Sequence, residues 1–295
     1  MVQLGKTILS TLCYADVFDY PLTLEEVWRR LIKVKSVKGK VKSIIKSLKF
    51  IKQKENYFYL NRRENIINLR KKRERYSQKK LKIAQDITKI LRLIPPVQLI
   101  GITGGLAVDN ADINDDIDLF IITSTRCMWT TRFFTTILLE IIGNRRRPND
   151  RGVQNKICLN MFVDSKHLVV PVAERDLFSA HEVVQMKPIF ERGDTYQKFL
   201  AANAWVKKFL PNAIKKSKVK SQKSKVRATQ SLLHCYIVIL LNCVEVLFKN
   251  FQLWYMRKRR TTEVIRNGVI RFHPEDARVW VMKKYKTKLS KYKLN

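Results

Sequence analysis

The chain has 295 residues, 45% of them hydrophobic, enough for two or three globular domains and too apolar for a disordered polymer. Its 59 Lys+Arg against 25 Asp+Glu give a net charge of +34, which excludes an acidic surface and favours partners that carry phosphate. The charge is uneven: residues 1–93 hold 24 basic and 8 acidic side chains, 94–211 hold 14 and 13, and 212–295 hold 21 and 4. Basic ends of this kind attract nucleic-acid backbones without base specificity. A lysine-rich surface with no ligand gives the same count. Cys13, Cys127, Cys158, Cys235 and Cys243 are scattered, with no zinc or disulfide spacing, as expected of a reducing, cytoplasmic compartment. Residues 7–17 are amphipathic and followed by acids, which reads as a helix and not as a leader peptide.

Residues 5–60 are expected to form three short helices and a hairpin. The first helix, over 6–17, carries Ile8, Leu9, Leu12 and Cys13 on one side. Thr23 and Glu26 form a capping box, in which hydroxyl and carboxylate each satisfy the other residue's backbone N–H. The second helix, to about residue 32, buries Leu24, Val27, Trp28 and Leu31. The third, over 38–49, sets Val41, Ile44, Ile45 and Leu48 at helical spacing, with Lys38, Lys40, Lys42, Lys46 and Lys49 opposite. Phe50-Ile51, a polar turn and residues 57–60 complete a hairpin. This order predicts a winged-helix module over 1–62. Its third helix either enters a nucleic-acid groove or only packs. Residues 63–96 hold one long helix stopped by Pro95-Pro96, and its run Arg70-Lys71-Lys72-Arg73 reads as a solvated face.

Residues 97–102 are an apolar run of strand length, broken by Gly104-Gly105. Residues 117–122 are another, with Asp116 and Asp118 at its start. Alternate strand residues share a face, so the two carboxylates should project side by side while Ile117 and Leu119 enter the core. Adjacent carboxylates suit Mg²⁺, which takes one or two of them plus substrate phosphates. A helix over 127–142 should lay Phe133, Phe134, Ile137, Leu138 and Ile141 on the sheet. Arg145-Arg146-Arg147 follows in a loop, read as an exposed basic loop ahead of the alternative that it meets substrate phosphates. Residues 156–163 and 167–172 read as strands, and in the first, alternation groups Cys158, Asn160 and Phe162.

Gly104-Gly105 and Asp116-Ile117-Asp118-Leu119, about a dozen residues apart between apolar strands, resemble the signature of the DNA polymerase β-like nucleotidyltransferase superfamily. The layout resembles bacterial members with an N-terminal winged helix, and the similarity covers residues 97–170. It implies an α+β protein with a central nucleotidyltransferase α/β core and small mixed sheet. It further implies Asp116 and Asp118 as catalytic Mg²⁺ ligands, Gly104 and Gly105 cradling the triphosphate of an NTP donor, and nucleotidyl transfer to an unknown acceptor. The chain departs from the pattern where a third carboxylate is expected. Only Asn160 is polar and inward there; it offers a metal an oxygen but cannot take a proton, and Asp164 lies just past the strand. Gly105 also stands where a serine is common. A catalytically degenerate relative that binds DNA or RNA or regulates is therefore the second expectation.

Residues 176–186 and 196–209 read as helices, and His181 and Glu182 as a packing or surface pair. Residues 214–228 read as a disordered basic linker. Residues 232–255 are strongly apolar but interrupted by His234, Asn242, Glu245, Lys249 and Asn250, so a buried or partner-binding helix is expected instead of a membrane span. A short helix over 262–267 and a last one opened by His273-Pro274 follow. The expected divisions are a winged helix (1–62), a connecting helix (63–96), a nucleotidyltransferase core (97–175), helices packed on it (176–213), the linker (214–228) and a helical C-terminal region (229–295).

Overall fold

A computed structural model describes residues 2–147, 150–214, 232–257, 263–272 and 277–294. Most of the basic stretch 214–228 and the segment 273–276 lie outside the described residues. The fold is mixed α and β, with a three-stranded and a six-stranded sheet.

Helix α1 (Val2–Asp16) buries Ile8, Leu9, Leu12 and Cys13. Strand β1 (Leu22–Thr23) runs directly into α2 (Leu24–Arg29). There the Thr23 hydroxyl accepts from the Glu26 N–H, and the Glu26 carboxylate accepts from the Thr23 N–H. Helix α3 (Lys38–Ile45) stops one turn before the expected end. Strands β2 (Ile51–Lys54) and β3 (Tyr57–Leu60) form the hairpin, and β1 joins β3 to give the antiparallel order β1-β3-β2.

Helix α4 (Ile66–Leu91) departs from the solvated face expected of its basic run. Arg70 is buried, with its guanidinium 4.2 Å and 4.7 Å from the ring centroids of Tyr20 and Tyr57. It donates to both Glu26 oxygens, at 2.8 and 3.1 Å. The physical reason is the capping box: it draws the Glu26 carboxylate inward, and a buried carboxylate needs a hydrogen-bonded cation.

The larger sheet begins with β4 (Val97–Ile102), the one-turn helix α5 (Gly104–Ala107) and β5 (Ile117–Thr123). Helix α6 (Met128–Ile141) crosses over to β6 (Ile157–Asp164), which lies parallel to β5. The expected strand at 167–172 is absent; the chain turns there and forms a short 3-10 helix, Val172–Glu174. Next come α7 (Leu177–Gln185), β7 (Lys187–Glu191) and α8 (Thr195–Ala202), after which 204–208 is a 3-10 turn and not the continued helix expected. Helices α9 (Leu232–Cys243) and α10 (Glu245–Met256) follow, then β8 (Val264–Arg266), β9 (Val269–Arg271) and α11 (Ala277–Lys291). The strand order is β7-β4-β5-β6-β9-β8.

The sheet thus draws strands from beyond residue 175, and the C-terminal region is not purely helical. Asn267-Gly268 turns the β8–β9 hairpin where a short helix was expected. Gly268 takes the left-handed φ of +73° that such a turn demands, and an Asn-Gly pair between apolar runs is a strong hairpin signal. Helix α11 packs on α1, where the buried Asp16 carboxylate lies between Lys288 and Arg63.

Helix α6 is rotated from its expected face. Met128, Trp129, Thr131, Thr135 and Leu139 are buried, while Phe134, Ile137 and Ile141 are exposed. Phe133 instead meets Phe248 of α10, with ring centroids 4.4 Å apart. One core fills the sheet face under α4, α6 and α10; the other runs from the opposite face through α7 and α8 into α1 and the three-stranded module. Among the described residues no helix is long and apolar enough to cross a membrane.

Candidate functional site

Strand β4 delivers the chain to Gly104, whose φ of +64° suits glycine, and Thr103 N–H donates to the Asp118 carbonyl across the strand pair. A Cβ on Gly104 would lie 3.1 Å from Asp118 Oδ2, so this turn is laid against the carboxylate. A Cβ on Gly105 would lie 3.2 Å from the Asn110 carbonyl oxygen, a tight approach for any larger residue.

Asp118 lies in β5 and Asp116 immediately before it. Their carboxylate oxygens and Cys158 Sγ all lie within 4.8 Å of one another. Asp116 Oδ2 accepts from Arg146 Nη1 at 2.6 Å, and the same nitrogen is 3.7 Å from Cys158 Sγ. The three arginines expected in an exposed loop therefore divide: Arg145 and Arg147 pair with Glu140, and Arg146 enters the site. Asp118 Oδ1 is buried without a hydrogen-bond partner. Burial, and after it the neighbouring Asp116 charge, push the Asp118 carboxyl well above the usual range.

Asn160 reaches this face through an irregularity in β6. Asp118 pairs with Cys158 and Phe120 with Met161, so Leu159 and Asn160 together oppose Leu119. The bulge resets the expected alternation. Cys158 and Asn160 share the Asp118 side, but Phe162 crosses to the opposite core with Ile157 and Leu159. The Asn160 side chain donates weakly to Thr103 Oγ1 at 3.4 Å, and its buried Oδ1 has no partner. Asp164 is engaged elsewhere, accepting from the Arg126 and Lys166 N–H groups at 2.7 and 2.8 Å.

Gly104, Gly105, Asp118 and Asn160 line one part of a cavity of about 530 Å³. Its walls are mainly apolar, with Phe120 and Met161 from the sheet, Phe178 from α7, Tyr14 from α1 and Phe18 just beyond it. The pair His181 and Glu182 divides here. His181 is a buried packing residue, stacked on Tyr14 with ring centroids 4.2 Å apart, and burial holds its pKa down to about 3, so it is neutral. Glu182 is half-buried and lines the cavity; among the described residues its side chain makes no hydrogen bond or ion pair, and desolvation pushes its carboxyl up to about 7. Its charge is near enough to raise Asp118 further. A Glu one turn into a helix has no sequence signal of its own, so only the packing of α7 against the cavity reveals it.

The donor atoms fit a hard cation. Two buried oxygens, Asp118 Oδ1 and Asn160 Oδ1, lack partners, and Mg²⁺ takes oxygen ligands. Cys158 does not fit one: burial and the two aspartates push its thiol up, so it stays protonated, and thiolate is a soft ligand. No family model, curated protein or solved structure matches the chain, so the site is read from its own residues.

Proposed function

We propose that this chain is a Mg²⁺-dependent nucleotidyltransferase of the DNA polymerase β-like superfamily. The observation that carries the reading is the pair of partnerless oxygens on Asp118 and Asn160 beside the Gly104-Gly105 turn, at the edge of a cavity large enough for a small substrate. Asp116, Asp118 and Asn160 would hold the ion, which supplies charge neutralisation on the triphosphate and its leaving group. Backbone N–H groups of the glycine turn seat phosphate oxygens. Arg146, already on Asp116, offers a guanidinium to the same phosphates. The acceptor hydroxyl attacks the α-phosphorus, its proton passes to the Glu182 carboxylate, and the bond to pyrophosphate breaks. The N-terminal unit, whose element order is that of a winged helix, walls the cavity through Tyr14 and Phe18. The acceptor must therefore be small enough, or have an end slender enough, to pass beside them.

The test is transfer of labelled nucleotide from each NTP to hydroxyl-bearing acceptors, small and polymeric, in the presence of Mg²⁺. Wild type is expected to label at least one acceptor, and an Asp116→Ala/Asp118→Ala variant to fall to background. Equal labelling by the two proteins rejects the proposal.

One observation favours the degenerate reading: Arg146 neutralises Asp116 without any metal. In that case α3 is the working surface, since Lys40, Lys42 and Lys46 are exposed with no carboxylate partner among the described residues. Duplex binding measured by fluorescence anisotropy should then weaken steeply with salt, with log K falling about 0.9 per unit of log salt for each phosphate neutralised. Lys42→Gln and Lys46→Gln should each reduce that slope by about 0.9. A slope equal to that of an unrelated protein of the same charge removes this reading.

A further inference from the structure

Helix α10 is anchored to the protein by Phe248, Leu253 and Met256, which pack on the core under the sheet, and by two polar side chains. The Glu245 carboxylate accepts from the Trp129 and Thr130 N–H groups at 2.7 and 2.8 Å and so caps the start of α6. Gln252, also buried, donates to the Trp129 carbonyl at 2.8 Å and accepts from Arg132. Other large apolar residues of the two helices face outward. Tyr236, Leu240, Leu247, Phe251 and Trp254 follow at helical spacing along one stripe, with Leu247 66% and Trp254 70% exposed. A helix pair that hydrogen-bonds its polar face to its own protein and leaves large apolar side chains in the open is built to contact an apolar phase.

The charges around the stripe identify that phase. In sequence, α9 is preceded by seven basic side chains between Lys215 and Arg227 without one acid, and α10 is followed by Arg257-Lys258-Arg259-Arg260. Pairing the same stripe with a second copy would bring two chains of net charge +34 together. An anionic bilayer surface suits both features at once: the stripe enters the headgroup and acyl boundary, the basic composition of the adjoining sequence favours acidic headgroups, and Tyr236 and Trp254 suit the interface.

We infer that the α9–α10 face docks on anionic membrane, lying in the interface without crossing it. This is independent of the chemistry in the cavity. The experiment is flotation of the full chain with vesicles of phosphatidylcholine alone and of phosphatidylcholine with phosphatidylglycerol. Binding is expected to the mixed vesicles, with far less to phosphatidylcholine. A Leu240→Ser/Leu247→Ser/Trp254→Ser variant, altered only at exposed positions, is expected to bind at least about tenfold more weakly while its thermal midpoint stays within a few degrees. Arg257→Gln should cost about fivefold on the mixed vesicles only. In wild type, tryptophan emission should shift to the blue on vesicle addition, and most of the shift should vanish in Trp254→Phe. Equal flotation with and without phosphatidylglycerol overturns the inference, and so does unchanged binding by the triple variant. A lipid-free dimer that the triple variant dissociates, with no vesicle binding by wild type, assigns the face to a second copy and also overturns it.

Discussion

Replacing Lys80 with methionine is expected to destabilise the protein by about 3–5 kcal/mol, because three acceptors lose a charged hydrogen-bond donor. Lys80 leaves the middle of α4 and is 1% exposed. Its ammonium donates to the carbonyls of Ile113 and Asp115 at 3.0 and 2.6 Å and to Asn155 Oδ1 at 3.0 Å. All three of its protons are thus used, and burial lowers its pKa while Asp115 and Asp116 oppose the shift. Methionine has a similar length and fills the space, so the loss is electrostatic and not a cavity effect. It leaves three partly buried acceptors without their donor, each at about 1–3 kcal/mol where water does not replace it. Against a typical total of about 5–15 kcal/mol, that is a large share. Urea unfolding reads it as a lower midpoint at unchanged slope. Lys80 also fixes the loop that delivers Asp116, so on the proposed function any Mg²⁺–nucleotide affinity should fall along with stability. A midpoint change equivalent to less than about 1 kcal/mol would mean that water replaces the ammonium.

The same residue illustrates what a sequence of this kind conceals. Lys80 and Arg70 sit in a helix whose composition reads as a solvated basic face, and composition does not tell which of many lysines and arginines turns inward. The groups that capture them, the Glu26 carboxylate for Arg70 and the carbonyls of the loop before Asp116 for Lys80, are far away along the chain, so the pairing is a tertiary fact. Local signals fared better. The Thr23–Glu26 box, the apolar strands on either side of Gly104-Gly105 and the Asp176 cap of α7 depend on neighbours a few residues away, and each forms where its residues stand. Strand β7 was illegible because Pro188 and half-buried residues give it no alternation. The hairpin β8–β9 was legible in Asn267-Gly268, but its strands have only three residues each and borrow their stability from pairing with β6. In the candidate site, spacing singled out Asp116, Asp118, Gly104 and Gly105, and alternation put Cys158 and Asn160 on one side of the strand. It did not single out Glu182, or Arg146 from its two neighbours. Arg146 enters from a loop, Cys158 joins by register across two strands, and Glu182 comes from a helix on the other wall of the cavity.

If the proposed reaction is the one this chain runs, replacing Glu182 with glutamine is expected to lower nucleotidyl transfer by about 10²–10⁴-fold, the range for loss of a positioned base, while nucleotide affinity changes little. The carboxylate of β6, Asp164, ends the strand and is engaged by the Arg126 and Lys166 N–H groups, whereas Glu182 lines the cavity with no side-chain hydrogen bond or ion pair among the described residues. With its carboxyl near 7, wild-type turnover at saturating Mg²⁺ should rise with pH through about 7 and then level, and the variant should lose that limb. A second readout separates a base from a mere packing residue. The pKa of Glu182 is raised from 4.5 in the unfolded chain to about 7 in the fold, so the folded state holds the proton more tightly. Its contribution to stability is then complete below about 4.5 and is lost as pH rises through 7. A shift of that size corresponds to roughly 3 kcal/mol. Glutamine cannot ionise, so Glu182→Gln should be more stable than wild type at pH 8 and close to it at pH 4.5, by urea midpoints at the two values. Greater stability above neutrality together with lost activity is the pattern of a residue kept charged for its chemistry at a cost to the fold. A variant with full activity and an unchanged acidic limb would remove Glu182 from the mechanism, whatever its effect on stability.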